Sequence, residues 1–211
     1  MLHWRDTYFQ SLRHIASLAR AVPEWSDYAA FCEKYERGLR RDAFSDLERF
    51  ISHLQNATFV ERRRFVSWLL PRVDGREGQH MLVPYPLSQR VVQPTLMEWT
   101  QVEPGCAEPH FWLGGYQNLK RALELKSNDE TFRRKLIEWI LSSVDWATHE
   151  LPAGYIGSPS EDITALDEAN ELLGGLPRDV ERKEFAAEID ERRSLIQGYL
   201  RTTSNRASTL D

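Results

Sequence analysis

Six of the chain's ten prolines fall between Pro71 and Pro109, and that density constrains the fold more than any other feature of the sequence. A proline inside a helix removes a backbone donor and drives its ring into the preceding turn, so no continuous helix can run through this stretch. Its other residues are not those of a linker. Met81, Leu82, Val83, Tyr85, Leu87, Val91, Val92, Leu96, Met97 and Trp99 are too apolar to remain in water. The expectation is an ordered, extended segment packed across neighbouring elements, with Trp99 buried and a short strand or two. Long ordered connections of this kind are enriched in function.

On either side of this segment the apolar residues recur at spacings of three and four, the period of an amphipathic helix. Trp4, Tyr8, Leu12, Ile15, Ala19 and Val22 form one stripe, stopped at Pro23. Trp25, Tyr28, Cys32, Tyr35 and Leu39 form a second, with Gly38 suited to its end, and Phe44, Leu47, Ile51 and Leu54 a third. A fourth helix opens at Thr58 with Glu61 three residues on, a capping box, and ends at Pro71. Beyond Pro109, Trp112, Tyr116, Leu119 and Leu123 mark a stripe that runs over Gly114-Gly115, and Ser127 with Glu130 offers a second capping box before Phe132, Leu136, Trp139 and Ile140. Ser158-Pro159-Ser160-Glu161 combines an N-cap serine, a first-turn proline and a third-position glutamate. That helix should stop at Gly174-Gly175 and pair antiparallel with a last helix from about Arg178 to Thr203. The fold class is therefore all-α: antiparallel helical hairpins, bundle-like or repeat-like, with the proline-rich extended segment laid across them. A single domain spans 1–203, made of N-terminal helices in 1–70, the connection in 71–109 and C-terminal helices in 110–203, with a flexible tail at 204–211.

The run Ala122-Leu123-Glu124-Leu125-Lys126-Ser127-Asn128-Asp129 resembles the close of a tetratricopeptide repeat. Leu136 then falls at the leucine position of the next first helix, and Asp145-Trp146 at the Asp-aromatic turn. The resemblance covers Ala122 to about Leu151. Ser127 stands where the family has proline, Ile137 and His149 where it has small residues, and no second copy follows at the 34-residue period. A local hairpin of that type is what the resemblance implies.

Chemistry is sparse. The sequence holds no GxGxxG, GxxxxGK[ST], GxSxG or HExxH, and its two cysteines, Cys32 and Cys106, fit no ligand spacing. Cys106 lies four residues before His110, and Asp145 four before His149, but neither pair has the further partner that a nucleophile or a metal needs. The expectation is no cofactor and no metal. Arg62-Arg63-Arg64 and Arg133-Arg134-Lys135 are basic runs without evident stacking aromatics, because the stripe aromatics are read as core. With a net charge of -5, nucleic acid is not the expected partner. No apolar run reaches the length of a membrane span and the start lacks a secretory leader, so the expected location is the cytoplasm.

The functional expectation is a non-enzymatic protein–protein interaction module that binds another polypeptide, with an antidote or immunity-type binder of a basic protein as its concrete form. Small size, acidity and the absence of catalytic motifs motivate it, and Glu168 and Glu171, on the acidic C-terminal helices, are the candidate docking carboxylates. The competing expectation is an enzyme of unfamiliar type, with a pocket between the proline-rich segment and the helices lined by Tyr85, Trp99, His110 and Trp112.

Overall fold

The computed structural model describes residues 6–76 and 78–208. Trp4 of the first stripe and Glu77 of the Gly75–Gly78 turn lie outside the described residues. The chain is all-helical, with no strand among the described residues, and it divides into two compact units, residues 1–104 and 105–211. The division falls inside the proline-rich segment. No helix of the described residues is long and apolar enough to cross a membrane.

In unit 1, α1 (Asp6–Arg20), α2 (Ser26–Glu36), α3 (Arg40–Gln55) and α4 (Phe59–Val73) follow the four predicted stripes. The short Pro23–Trp25 turn and Gly38, at φ 77°, make the first two reversals. Thr58 and Glu61 form the capping box reciprocally, the Thr58 N–H donating to the Glu61 carboxylate at 2.7 Å. Aromatic rings fill the core. Tyr28, Phe31, Phe50 and Phe65 are fully buried, and Phe50 and Phe65 meet edge to face at 4.7 Å between centroids. Contacts of this geometry contribute about 0.5–1.5 kcal/mol beyond area burial.

The proline-rich segment is helical, not extended. It consists of α5 (Gln79–Leu82), α6 (Tyr85–Leu87) continuing through a wide turn at Ser88–Val92 into α7 (Gln93–Val102), and, in unit 2, α8 (Glu108–Leu113). Its prolines begin helices more than they end them: Pro86, Pro94 and Pro109 occupy first-turn positions of α6, α7 and α8. At Pro86 and Pro109 the missing N–H has no intrahelical partner to lose. The wide turn at 88–92 directly precedes Pro94 and loosens the backbone that its ring would otherwise crowd. Pro71 does not stop α4 either. It sits in the last turn, where only Arg72 and Val73 follow, so one interior hydrogen bond is lost. Trp99 is buried as expected, and the Tyr28 hydroxyl donates to the Leu82 carbonyl at 2.7 Å across 54 residues of sequence, pinning α5 to α2. Asp46, 1% exposed, is held by Lys34 at 2.6 Å and by Arg49. Burial pushes its carboxyl up and the two cations pull it down further, so it lies below the ordinary carboxylate value.

Unit 2 contains α8, α9 (Tyr116–Leu125), α10 (Glu130–Thr148), α11 (Pro159–Leu173) and α12 (Asp179–Ser208). Four corrections to the sequence reading arise here. Gly114 and Gly115 adopt φ of 68° and 76° and separate α8 from α9, so the stripe from Trp112 to Leu123 is broken between them. The N-cap of α10 is Asp129, whose carboxylate accepts from the Thr131 and Phe132 N–H groups, and Ser127 does not cap it. Asp145 and Trp146 form no turn, because α10 continues to Thr148. The last helix runs to Ser208, past the start of the tail expected at 204. Ser158 caps α11 as predicted, and α12 returns along α11 with an Asp167–Arg193 ion pair at 2.7 Å. The core of this unit is mainly aliphatic: Leu119, Leu136, Ile137, Ile140, Val144, Leu166, Ile189 and Ile196.

Candidate functional site

Charge separates the two units. Residues 1–104 hold 14 basic and 13 acidic side chains, a net +1, and residues 105–211 hold 13 and 19, a net -6. The acidity of the protein therefore resides in unit 2. Two cavities of similar size lie among the described residues of that unit. One, of about 420 Å³, lies between Leu151–Ala153 and α12 and has no charged side chain in its lining among the described residues. The other, of about 470 Å³, is a cleft bounded by α9, α10 and α11, and it joins apolar, aromatic and acidic groups.

Each wall of this cleft follows from local structure. On α10, Trp139, Ile140, Ser143 and Val144 present neighbouring faces of a helix, so Ile140 and Val144 bury themselves while Trp139, beside them, stays 39% exposed. Tyr116 begins α9 after the glycine pair, and its ring lies 5.7 Å from that of Trp139 at a tilt of 40°. The α11 wall repeats every three or four residues through Glu161, Thr164, Ala165 and Glu168, with Asp162 beside it. Glu161 and Asp162 occupy the first turn of α11, where the helix dipole favours negative charge.

The carboxylates of the cleft differ in their partners. Glu168 accepts a hydrogen bond from the Tyr116 hydroxyl and pairs with Lys120 at 2.9 Å, and Lys120 also donates to the Tyr116 oxygen at 3.2 Å. The Glu168 carboxylate raises the Tyr116 hydroxyl, and with it the Lys120 ammonium, above their ordinary values. Asp162 accepts from the Tyr155 hydroxyl at 2.6 Å, and burial together with that carboxylate keeps Tyr155 protonated well beyond neutral pH. Neither Glu161 nor Asp162 has a cation partner among the described residues. The cleft therefore retains two uncompensated negative charges over an apolar floor.

The sequence-predicted residues fall in different places. Tyr85 and Trp99 belong to unit 1, and His110 and Trp112 to unit 2. Tyr85 is 76% exposed at the start of α6, whereas Trp99 is 4% exposed, with its indole N–H on Glu103 at 2.9 Å and the Arg63 guanidinium 4.4 Å above its ring. His110 is half-buried with its Nδ1 unpartnered, and Trp112 packs edge-on to Phe111 at 4.6 Å. Of the two acidic candidates, Glu168 lines the cleft, while Glu171, one turn on, is exposed outside it. Sequence reasoning placed Tyr116 and Trp139 in core stripes and so missed the aromatic wall. Trp146 is also exposed, at 62%.

The remaining motifs are occupied by internal contacts. The Cys106 thiol donates to Glu108 at 3.0 Å, and although burial raises that carboxyl, the Cys106 and Lys126 contacts bring it down to about 2. Asp145 faces Arg192 at 3.3 Å and His149 faces Glu150 at 3.0 Å. Among the described residues no group of three His, Cys, Asp or Glu side chains is placed to hold a metal ion. The arginine runs are largely held within the fold: Arg62 by Glu98 at 2.6 Å, Arg63 by Glu103, and Arg134 by Glu181. No known protein family, curated protein or solved structure matches this chain.

Proposed function

We propose that the protein is a helical interaction module whose second unit docks a basic polypeptide, in the manner of an antidote that covers its partner. The observation that carries this reading is the pair Glu161 and Asp162, uncompensated at the mouth of an apolar and aromatic cleft in a unit of net charge -6. Desolvated aromatic surface supplies the adhesive part of a protein interface, and a surrounding field of one sign steers the partner and selects its charge. A complementary basic protein satisfies both.

The test begins with capture of the partner on the immobilised full-length protein and its identification by mass spectrometry. Association is then timed by stopped flow at low and at physiological salt. Exposed charges are screened over about 8 Å at physiological ionic strength, so the on-rate should fall steeply as salt rises. Changing Glu161→Gln together with Asp162→Asn should slow association about threefold to tenfold at low salt. An on-rate indifferent to both salt and substitution rejects docking through this face.

A further inference from the structure

We infer that the cleft seats the guanidinium of one arginine side chain of that partner, with Lys120 acting as an internal cation that limits how tightly it binds. This inference rests on the docking reading above and adds the chemistry of the group that enters.

Three features of the cleft select among cations. The first is its wall. Trp139 keeps 39% of its surface accessible beside Tyr116, and a planar, weakly hydrated guanidinium packs on exposed aromatic surface at a smaller desolvation cost than a compact ammonium. The second is its mouth, where Glu161 and Asp162 have no cation of their own. A guanidinium carries five donors in a fixed fork, so it can bond one carboxylate in two places and still reach a second, which the three donors of an ammonium do less well. The third is its floor. Ala165, partly exposed above the buried Ile140 and Val144, offers apolar surface to the methylene stem that carries the charge.

The fourth side explains why the site is not more acidic still. Lys120 reaches Glu168 and the Tyr116 oxygen from the turn above and neutralises the third carboxylate of the cleft. It performs inside the protein the contact that an incoming cation would make. Removing its charge leaves Glu168 facing the cleft uncompensated, so the local charge seen by a ligand rises from two negatives to three.

The experiment uses the full-length, ¹⁵N-labelled protein and three blocked hexapeptides, identical except for one central arginine, lysine or citrulline. Citrulline keeps the shape of arginine and removes its charge. Binding is read from the indole N–H resonance of Trp139, assigned with Trp139→Phe. The arginine peptide should shift that resonance to saturation and bind at least about threefold more tightly than the lysine peptide, and the citrulline peptide should not saturate. Glu161→Gln with Asp162→Asn should abolish the shift, and Lys120→Met should tighten arginine binding about threefold or more. Equal binding of lysine and arginine, or saturation by citrulline, overturns the inference, and an unchanged affinity in Lys120→Met removes the part assigned to Lys120. A Trp139 resonance unmoved by arginine, in a protein whose partner still associates in a salt- and Glu161/Asp162-dependent way, defeats the arginine seat while leaving the docking reading intact. Loss of that dependence defeats the docking reading itself.

Discussion

The two units solve the problem of aromatic residues in opposite ways. Unit 1 builds its core from large rings, with Tyr85 left outside: Tyr28, Phe31, Phe50 and Phe65 pack against one another, and Trp25 meets Phe65 and Trp68 at centroid distances of 5.5 and 4.7 Å. Unit 2 builds its interior mainly from leucine, isoleucine and valine and leaves Trp139 and Trp146 at the surface. Their charges diverge in the same direction. Both units answer acids with cations, as Asp46 is answered by Lys34 and Arg49 in unit 1 and Glu181 by Arg134 in unit 2, so the divergence lies in net charge. In unit 2 two acids without a cation partner among the described residues, Glu161 and Asp162, line the cleft beside Tyr116 and Trp139. A ring buried among rings contributes to folding, whereas a ring left beside unpaired carboxylates has spare surface and field for a partner.

If that division is sound, core substitutions in unit 1 should have the largest effects on stability. Phe65→Ala removes a ring that touches Trp25, Tyr28, Phe50 and Trp68, and it should cost about 3–5 kcal/mol. Hydrogen exchange read by mass spectrometry should show the loss in α2, α3 and α4, with α10 to α12 retaining their protection. Parallel loss in α10 to α12 would mean that the units unfold as one, and the comparison would fail. Trp139→Ala, by contrast, should change the denaturation midpoint by less than about 1 kcal/mol, because much of its surface is already in water.

A smaller effect is expected at Tyr28→Phe. The hydroxyl is buried on the Leu82 carbonyl, and its removal leaves that acceptor without its partner at a cost of about 1–3 kcal/mol. Exchange should rise selectively over 79–92, since this bond ties that segment to α2. Uniform loosening of the whole chain would show that the contact does not act locally.

The acid limb of the stability curve separates the units further. Asp46 has a folded pKa below its unfolded value of about 3.9. Its contribution is therefore fully present above that value and is lost as pH falls through the folded pKa. Asp46→Asn should flatten the decline of unit 1 stability below about pH 4. An identical acid limb in Asp46→Asn would show that the buried pair is not a source of native-state stability.

How much of this could be read from residues alone depended on whether the signal was local. The Thr58–Glu61 box and the Ser158 cap were legible because a side chain bonds a backbone group three residues away. The proline-rich segment was misread for the converse reason. Whether Pro86 or Pro94 breaks a helix or starts one depends on where the helix begins, and that is fixed by distant packing, such as Tyr28 on Leu82. The glycine pair at 114–115 shows the same limit: apolar spacing continued across it while positive φ at both residues broke the helix. In the cleft, Glu168 was identifiable as one of a run of acids. Trp139 was not identifiable, because the step from core to rim on α10 is set by where α9 and α11 lie against it.

The central claim, that unit 2 and not unit 1 meets the partner, is tested most directly by matched charge removal. The on-rate of the captured partner at low salt is measured for Glu161→Gln/Asp162→Asn and for Glu24→Gln/Asp42→Asn, which removes two exposed acids from unit 1. Both variants lose two negative charges, so any effect of overall charge is common to them. The account predicts slowing by about threefold to tenfold in the first variant and a change of less than about twofold in the second. Equal slowing in both, or slowing in the second alone, contradicts it.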